Sequence, residues 1–210
     1  MICVSIGNGN PAEAKGILKK TGFIELRADL LDWNTQELKD VIMSGAKTVF
    51  TCRPGKFNDD ERLELFEMAA KAGAKYLDVE LDSEENFLAS IRNIRDTSAA
   101  ELIVSFHNFE LTPAMEVLES LLNDCFVAGA DVAKIACRVY SPADSARLLS
   151  LYRITGRKIV IGMGKTGKIT RIAASLLGAE FTFASPGEGD ATAEGQFSYD
   201  EMKEIIKKIQ

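Results

Sequence analysis

The sequence predicts an α/β fold of the (β/α)₈ TIM-barrel class, organised as one domain over residues 1–210. Short apolar runs alternate along the whole chain with longer segments of helical periodicity, and eight such strand-helix units can be counted. Alternating units imply a parallel sheet covered by helices, and eight of them favour a closed barrel over an open doubly wound sheet. No G-x-G-x-x-G turn follows the first strand, which argues against the dinucleotide-binding alternative.

The eight predicted strands are rich in β-branched and aromatic residues, and they read ICVSI, FIELRAD, TVFTC, KYLDVEL, LIVSF, DVAKIA, KIVIG and EFTF. The predicted helices follow in order as PAEAKGILKK, TQELKDVIMS, DERLELFEMAAKAG, SEENFLASIRNIR, AMEVLESLLNDCFVAG, ADSARLLSLYRITG, KITRIAASLLG and YDEMKEIIKKI. Several helices carry a stop signal, because Gly in AGA, TGR and LLGAE stands where a helix C-cap belongs.

Composition excludes several classes of protein. The chain is 46% hydrophobic and 27% charged, without an uncharged run long enough for a membrane span. The N-terminus, MICVSIGNGN, has no basic region before its short apolar stretch, so we expect no signal peptide and a cytoplasmic setting. A net charge of −6 without a Lys/Arg cluster argues against nucleic acid as a partner. The cysteines lie scattered in apolar runs and are interpreted as buried, reduced thiols: Cys3, Cys52, Cys125 and Cys137.

Strand parity predicts an unusually polar barrel interior. Residues two apart share a face of a strand, and the outer face must pack on helices. In FIELRAD the apolar, outward face comprises Ile24, Leu26, Ala28 and Leu30, which leaves Glu25 and Arg27 inside. The same parity places inside the barrel Thr51, Arg53, Asp78, Glu80, Ser105, His107 and Lys134. A packed core rejects ionisable groups, so a cluster at the C-terminal ends of neighbouring strands indicates an active site.

Lys134 and His107 are the candidate catalytic residues of this cluster. Lys134 lies in the apolar segment GADVAKIAC, where poor solvation and neighbouring cations are expected to favour a neutral, nucleophilic amine. His107 is the sole histidine and suits proton transfer near neutral pH. The alternative is structural: the lysine pairs with Glu25 or Glu80, and the histidine is a satisfied core residue.

Two other motifs predict structure instead of chemistry. GMGKTGKIT, residues 162–170, is similar to a phosphate-binding loop, but Ile169 stands where Ser or Thr should hold magnesium. We interpret it as a loop between strand and helix. The acidic run NDDER, residues 58–62, predicts a helix N-terminus capped by Asn58 or Asp59.

Several motifs together resemble type I 3-dehydroquinate dehydratases, and the likeness runs from end to end. IELRADLL resembles the family's E-[LF]-R-x-D strand, FTCRP its T-x-R segment and IVSFHNF its S-[YF]-H-[DN]-F signature. VAKIA resembles the segment carrying the Schiff-base lysine. Toward the C-terminus, GMGKTGKITRIAA resembles the M-G-x₂-G-x₂-[ST]-R stretch and ATAEGQ the A-[ST]-A-P-G-Q loop.

The resemblance implies a reaction that needs neither a metal nor an organic cofactor. Lys134 would condense with the C3 ketone of 3-dehydroquinate, His107 would remove a proton from C2, and water would leave from C1 by syn elimination to give 3-dehydroshikimate. Arg171 would bind the substrate carboxylate, a role suited to the planar guanidinium. The other residues implied in substrate binding are Glu25, Arg27, Arg53, Met163, Phe183, Thr192, Ala193 and Gln196, the ATAEGQ loop acting as a lid.

Two departures from the family pattern stand out. A Glu that family members commonly carry near the catalytic histidine is replaced by Phe57, so its orienting role is expected to pass to Glu80, Asp78 or the NDDER run, or to be absent. The lid carries Glu194 where Pro is usual. The resemblance also implies a homodimer. Two alternatives stay open, a Schiff-base aldolase and a silent barrel that only binds a small acid.

Overall fold

The structure, a computed structural model, describes residues 1–45, 47–187 and 189–209. Strands and helices alternate along the described chain. The strands are β1 (Ile2–Ile6), β2 (Phe23–Arg27), β3 (Lys47–Thr51), β4 (Tyr76–Glu80), β5 (Glu101–Asn108), β6 (Val132–Arg138), β7 (Lys158–Met163) and β8 (Thr182–Ala184). The α-helices are α1 (Pro11–Thr21), α2 (Thr35–Ile42), α3 (Asp59–Lys71), α4 (Glu85–Asp96), α5 (Met115–Val127), α6 (Pro142–Ser150), α7 (Lys168–Leu176) and α8 (Tyr199–Ile209).

The eight strands form one parallel sheet that curls into a nearly closed barrel, which confirms the predicted fold class. Each strand pairs with the next from β1 to β7, and β8 pairs with β1 on its other side. Between β7 and β8 the described residues form no named ladder, although the Glu180 N–H donates to the Lys158 carbonyl at 3.0 Å. We call this junction the seam of the barrel.

Local sequence explains where the helices begin and end. Asn10, Asn34 and Asn58 each cap a helix by accepting a hydrogen bond from the third residue of the first turn, and a Glu side chain there bonds back to the cap. The cap of α3 is therefore Asn58, one of the two predicted candidates. α1 ends at Gly22, whose φ of 74° is a left-handed conformation that favours glycine.

Two apolar layers lie on the two faces of the sheet. The outer layer packs the strands on the helices and includes Leu26, Phe50 and Leu77, all fully buried. The inner layer fills the N-terminal half of the lumen, where the rings of Phe23 and Phe181 meet edge to face at 4.8 Å between centroids. This apolar layer separates the polar side chains at the C-terminal ends of the strands from those at the N-terminal rim of the barrel.

The structure corrects part of the predicted second strand. β2 ends at Arg27, and residues 28–30 form a turn, so Leu30 does not continue the outward face. Leu30 is 48% exposed and lies at the mouth of the barrel. Arg53 lies two residues beyond the end of β3, not within the strand. The four cysteines are free and buried, as expected. No helix in the described part of the chain is long and apolar enough to cross a membrane.

Candidate active site

A cavity of about 300 Å³ opens at the C-terminal ends of the strands. All but one of the residues predicted for the site line this cavity; the exception is Asp78, which is buried beneath it. The predicted residues that line it are Glu25, Arg27, Arg53, Glu80, His107, Lys134, Met163, Arg171, Phe183, Thr192, Ala193 and Gln196. The structure adds Leu30, Phe109, Ala136 and Ile161 to the lining.

Lys134 is held by a buried carboxylate. Its Nζ lies 2.7 Å from Asp78 Oδ2 and 4.5 Å from the centre of the Phe183 ring. The same carboxylate accepts hydrogen bonds from Arg53 at 2.8 Å and from the Ser105 hydroxyl at 2.7 Å. Burial opposes the charged form, but Arg53 and Lys134 outweigh it and hold the pKa of Asp78 well below its usual range. The partner of Lys134 is therefore Asp78, not Glu25 or Glu80 as the structural alternative supposed.

His107 lies at the end of β5 as a neutral imidazole. Burial, assisted by the positive charges of Arg53 and Lys134, moves the pKa of His107 well below its ordinary value of 6.5. The ring stacks on Phe109, with centroids 5.9 Å apart and planes within 10°. Its Nδ1 is buried without a hydrogen-bond partner among the described residues. A neutral imidazole that faces the cavity is suited to accept a proton.

Glu80 is the acid nearest to His107. Its Oε1 lies 3.7 Å from His107 Nδ1 and 3.9 Å from Arg53 Nε, which is ion-pair range but too long for a hydrogen bond. Phe57 packs instead against the apolar layer between sheet and helices. In the NDDER run, Asp59 pairs with Arg62. Among the acids considered for orienting His107, Glu80 alone contacts the ring within 4 Å in the described structure.

Two carboxylates near the end of β2 accept hydrogen bonds from different residues: Glu25 lies on the strand and Asp29 just after it. Glu25 accepts hydrogen bonds from Thr51 at 2.9 Å and from Ser5. Asp29 binds Arg27 through two hydrogen bonds, at 2.6 and 3.0 Å, and so fixes the plane of that guanidinium at the cavity. Both contacts pre-orient groups that line the cavity.

Arg171 is a buried cation without an acidic partner among the described residues. Only 1% of the residue is exposed, and its side chain donates one hydrogen bond within the described structure, from an Nη atom to the Phe183 carbonyl at 3.4 Å. Its Nε has no hydrogen-bond partner among those residues. Burial lowers the pKa of Arg171 to about 10, so the guanidinium remains charged at neutral pH. A charged, under-satisfied guanidinium at a cavity wall is suited to bind an anion.

Three residues of the segment between β8 and α8 line the cavity, namely Thr192, Ala193 and Gln196. Thr192 donates a hydrogen bond to Ser5 at 2.7 Å, and the Thr192 N–H donates to Gln196 Oε1 at 3.0 Å. Because Ser5 in turn donates to Glu25, this segment is joined to the floor of the site by a chain of hydroxyl groups. Residues 191–196, called the lid below, therefore contribute side chains to the cavity.

Six residues of the site were assigned no role from the sequence: Ser5, Asp29, Leu30, Phe109, Ala136 and Ile161. Asp29 and Phe109 stand inside two motifs of the family resemblance, IELRADLL and IVSFHNF. Ser5 shares a strand face with the inward Cys3 and could have been found by parity. Leu30 was placed on the outward face of the second strand, and parity failed there because the residue belongs to a turn that follows the strand.

Comparison with known proteins agrees with this geometry. The family model "Type I 3-dehydroquinase" matches residues 2–210. The 3-dehydroquinate dehydratase of Methanococcus maripaludis is 36% identical over 222 residues and covers 100% of both chains. A crystal structure of the Aquifex aeolicus 3-dehydroquinate dehydratase superposes with a TM-score of 0.86 at 34% identity, over 99% of this chain and 98% of that one. The Geobacillus kaustophilus enzyme gives a TM-score of 0.88 at 27% identity, over 100% and 90%. The chain belongs to the type I 3-dehydroquinase family.

Proposed function

We propose that this chain is a hydro-lyase that dehydrates 3-dehydroquinate to 3-dehydroshikimate in the shikimate pathway, with Lys134 as the Schiff-base residue and His107 as the general acid and base. One observation carries the proposal: Lys134, His107 and the unpaired Arg171 line one cavity at the C-terminal ends of the strands. An amine for a ketone, an imidazole for a proton and a guanidinium for a carboxylate are the three groups that this reaction requires.

The chemistry proceeds through an imine. The Lys134 amine, once it has lost its proton, adds to the C3 ketone and expels water to form an iminium. The iminium withdraws electrons, so His107 can remove the C2 proton and leave an enamine. The C1 hydroxyl then departs as water with the proton that His107 returns. Hydrolysis of the conjugated imine consumes one water and releases the product and the Lys134 amine. The net change is loss of one water.

The remaining cavity residues bind the substrate. Arg171 binds the carboxylate, because it is a buried cation of the cavity wall that has no acidic partner among the described residues. The polar residues of the cavity and the lid bind the ring hydroxyls, namely Glu25, Arg27, Arg53, Thr192 and Gln196. The apolar walls are formed by Met163, Phe183 and Ala193. Closure of the lid excludes water from the iminium.

Glu80 is the positioning residue for His107 in this proposal. Its carboxylate lies 3.7 Å from Nδ1, and the proposal requires that a small movement of either side chain shorten this distance to a hydrogen bond. Asp78 does not share this role, since its oxygens are occupied by Lys134, Arg53 and Ser105. Glu80→Gln should lower kcat and shift the acid limb of its pH profile, whereas a purely structural role would leave the profile unmoved.

Borohydride trapping tests the proposal directly. The protein is incubated with 3-dehydroquinate and sodium borohydride, and the peptide that contains Lys134 is examined by mass spectrometry. Reduction of the imine should add the substrate skeleton irreversibly to Lys134, and the untreated enzyme should release the conjugated enone product, which is followed by ultraviolet absorbance. Lys134→Ala is the control that should remain unlabelled.

The two alternatives give different results in the same experiment. An aldolase would give no 3-dehydroshikimate from 3-dehydroquinate, and would be labelled at Lys134 only when a sugar phosphate replaced 3-dehydroquinate in the incubation. A silent barrel would bind 3-dehydroquinate without labelling or product. Either outcome would overturn the proposed function.

The family resemblance also supports a homodimer. Light scattering on the purified protein should give twice the chain mass of 22.9 kDa, and a monomer at working concentration would refute the dimer.

A further inference from the structure

We propose that Arg138 is a positioning residue, which latches the lid over the cavity through Glu194. Arg138 is the last residue of β6, four residues after Lys134, and its guanidinium forms an ion pair with the Glu194 carboxylate. Nothing in the chemistry above uses either residue. The inference rests on the proposed function only in its kinetic test, because the closure of the lid can be measured without substrate.

The ion pair belongs to a compact arrangement of three chain segments. The Gly164 N–H, just beyond β7, donates a hydrogen bond to the Glu194 carbonyl at 3.2 Å. A Cβ on Gly164 would lie 3.3 Å from the Arg138 guanidinium carbon, so the guanidinium packs directly on the backbone of Gly164. A Cβ on Gly195, whose φ is 83°, would lie 2.5 Å from the Gly164 carbonyl oxygen. The lid backbone therefore crosses the β7 loop at a distance that only glycine permits.

The latch acts on the substrate-binding side chains through the short lid. Thr192 and Gln196, which line the cavity, lie two residues on either side of Glu194 and are hydrogen bonded to each other. At its inner side the lid is held by the hydrogen bond from Thr192 to Ser5. At its outer side it is held by the ion pair between Arg138 and Glu194. Without the ion pair the lid is held by the hydrogen bonds from Thr192 to Ser5 and from Gly164 to Glu194, so Thr192 and Gln196 should move away from the cavity more often.

The latch is electrostatic and should respond to salt. The Glu194 side chain is 60% exposed and that of Arg138 is 29% exposed, so dissolved ions can screen the pair. An exposed pair of this kind changes an equilibrium by about two- to fivefold. We therefore expect the ion pair to shift the equilibrium of the lid toward the closed position without preventing it from opening.

The first test is hydrogen exchange in the full chain without substrate. Arg138→Gln and Glu194→Gln should each raise the exchange rate of lid amides, including that of Thr192, by about two- to fivefold. The double variant should resemble either single variant, because both remove one interaction. The matched control is Arg153→Gln, which removes an exposed ion pair with Glu119 on the outside of the barrel and should leave lid exchange unchanged.

The second test is kinetic. Arg138→Gln should raise KM for 3-dehydroquinate by about two- to fivefold and keep kcat within about twofold. Added sodium chloride should raise KM more in the unaltered enzyme than in Arg138→Gln, since the variant has no pair left to screen.

The outcomes separate the latch from the proposed function. Lid exchange that is unchanged in both single variants, or effects that simply add in the double variant, would overturn the latch. If the unaltered protein fails to dehydrate 3-dehydroquinate while the exchange effects appear, the proposed function is wrong and the latch stands. Thermal unfolding of each variant identifies any loss of the fold, and the two single variants give independent tests.

Discussion

Both ends of the barrel lumen carry charged side chains, but the two sets differ in how completely their hydrogen-bonding groups are paired. At the N-terminal end, Glu180 accepts hydrogen bonds from Tyr76 at 2.8 Å and from Arg157 at 2.7 and 2.9 Å. Glu101 accepts from Arg157 at 2.7 Å and from Lys75 at 2.8 Å. Each acid meets two donor residues, and no atom of this basal network is among the buried polar atoms without a partner in the described structure.

The C-terminal end leaves polar atoms unsatisfied. His107 Nδ1, Arg53 Nη1 and Arg171 Nε are buried and lack a partner among the described residues. Lys134 and Arg53 share the single carboxylate of Asp78. An unsatisfied buried group costs about 1–3 kcal/mol, which an arriving ligand can recover. Charged side chains in a barrel lumen therefore do not by themselves indicate a functional site. Buried polar and charged groups that lack a hydrogen-bond partner do.

Among the substitutions that test this difference between the two ends, Lys134→Ala should have the largest effect. If the C-terminal end of the barrel is the catalytic site, turnover of 3-dehydroquinate should fall by about 10⁴-fold or more, because the nucleophile is lost. Asp78 keeps Arg53 and Ser105 as partners, so the fold should survive. Steady-state kinetics and circular dichroism measure the two effects. Substantial turnover by a folded variant would contradict the assignment.

His107→Ala should lower kcat by about 10²- to 10⁴-fold, the usual contribution of a general acid or base. Imine formation at Lys134 should continue, so borohydride should still label the variant. The combined measurement of labelling and product distinguishes a lost proton carrier from a disrupted pocket. Near-normal turnover would show that another group is the base.

The state of His107 can be observed directly, because the chain contains one histidine. Its imidazole signal in a proton–carbon NMR titration should stay in the neutral form as pH falls through 6.5, since burial and neighbouring cations lower its pKa. Protonation should occur only at clearly lower pH. The urea-unfolded chain is the control and should titrate near 6.5. A folded-state midpoint at or above 6.5 would refute the neutral base.

The smallest effect is expected at the N-terminal end of the lumen, where the charged groups have hydrogen-bond partners. Tyr76→Phe removes one hydrogen bond to Glu180, which keeps Arg157 as a partner, so the free energy of unfolding should fall by about 0.5–1.5 kcal/mol. Values of kcat and KM should not change. Denaturant unfolding and kinetics provide the measurements. A loss of activity without loss of stability would mean that the basal network is not purely structural.

The alternation of strands and helices predicted the barrel, and strand parity predicted the polar cavity residues that lie on or near strands β2 to β6. The other predicted residues followed from the family resemblance alone: Met163, Arg171, Phe183, Thr192, Ala193 and Gln196. Parity does not determine distances across the lumen, so it could not identify Asp78 as the partner of Lys134. It also failed beyond the strand ends, where Leu30 lies in a turn. The packing of Phe57 against the outer apolar layer depends on the tertiary path of its loop, which no local pattern encodes.

The site adjoins the seam between β7 and β8, so a ligand bound there should also stabilise the fold. β8 has three residues and a ladder only with β1 in the described structure, so local opening should begin at this junction. Arg171, on α7, donates to the Phe183 carbonyl, and its own carbonyl accepts from Thr182, which ties that helix to β8. If Arg171 binds the substrate carboxylate as proposed, the binding free energy stabilises the junction at which the barrel should open first. The ligand-free protein should then open at the seam more often than the substrate-bound protein.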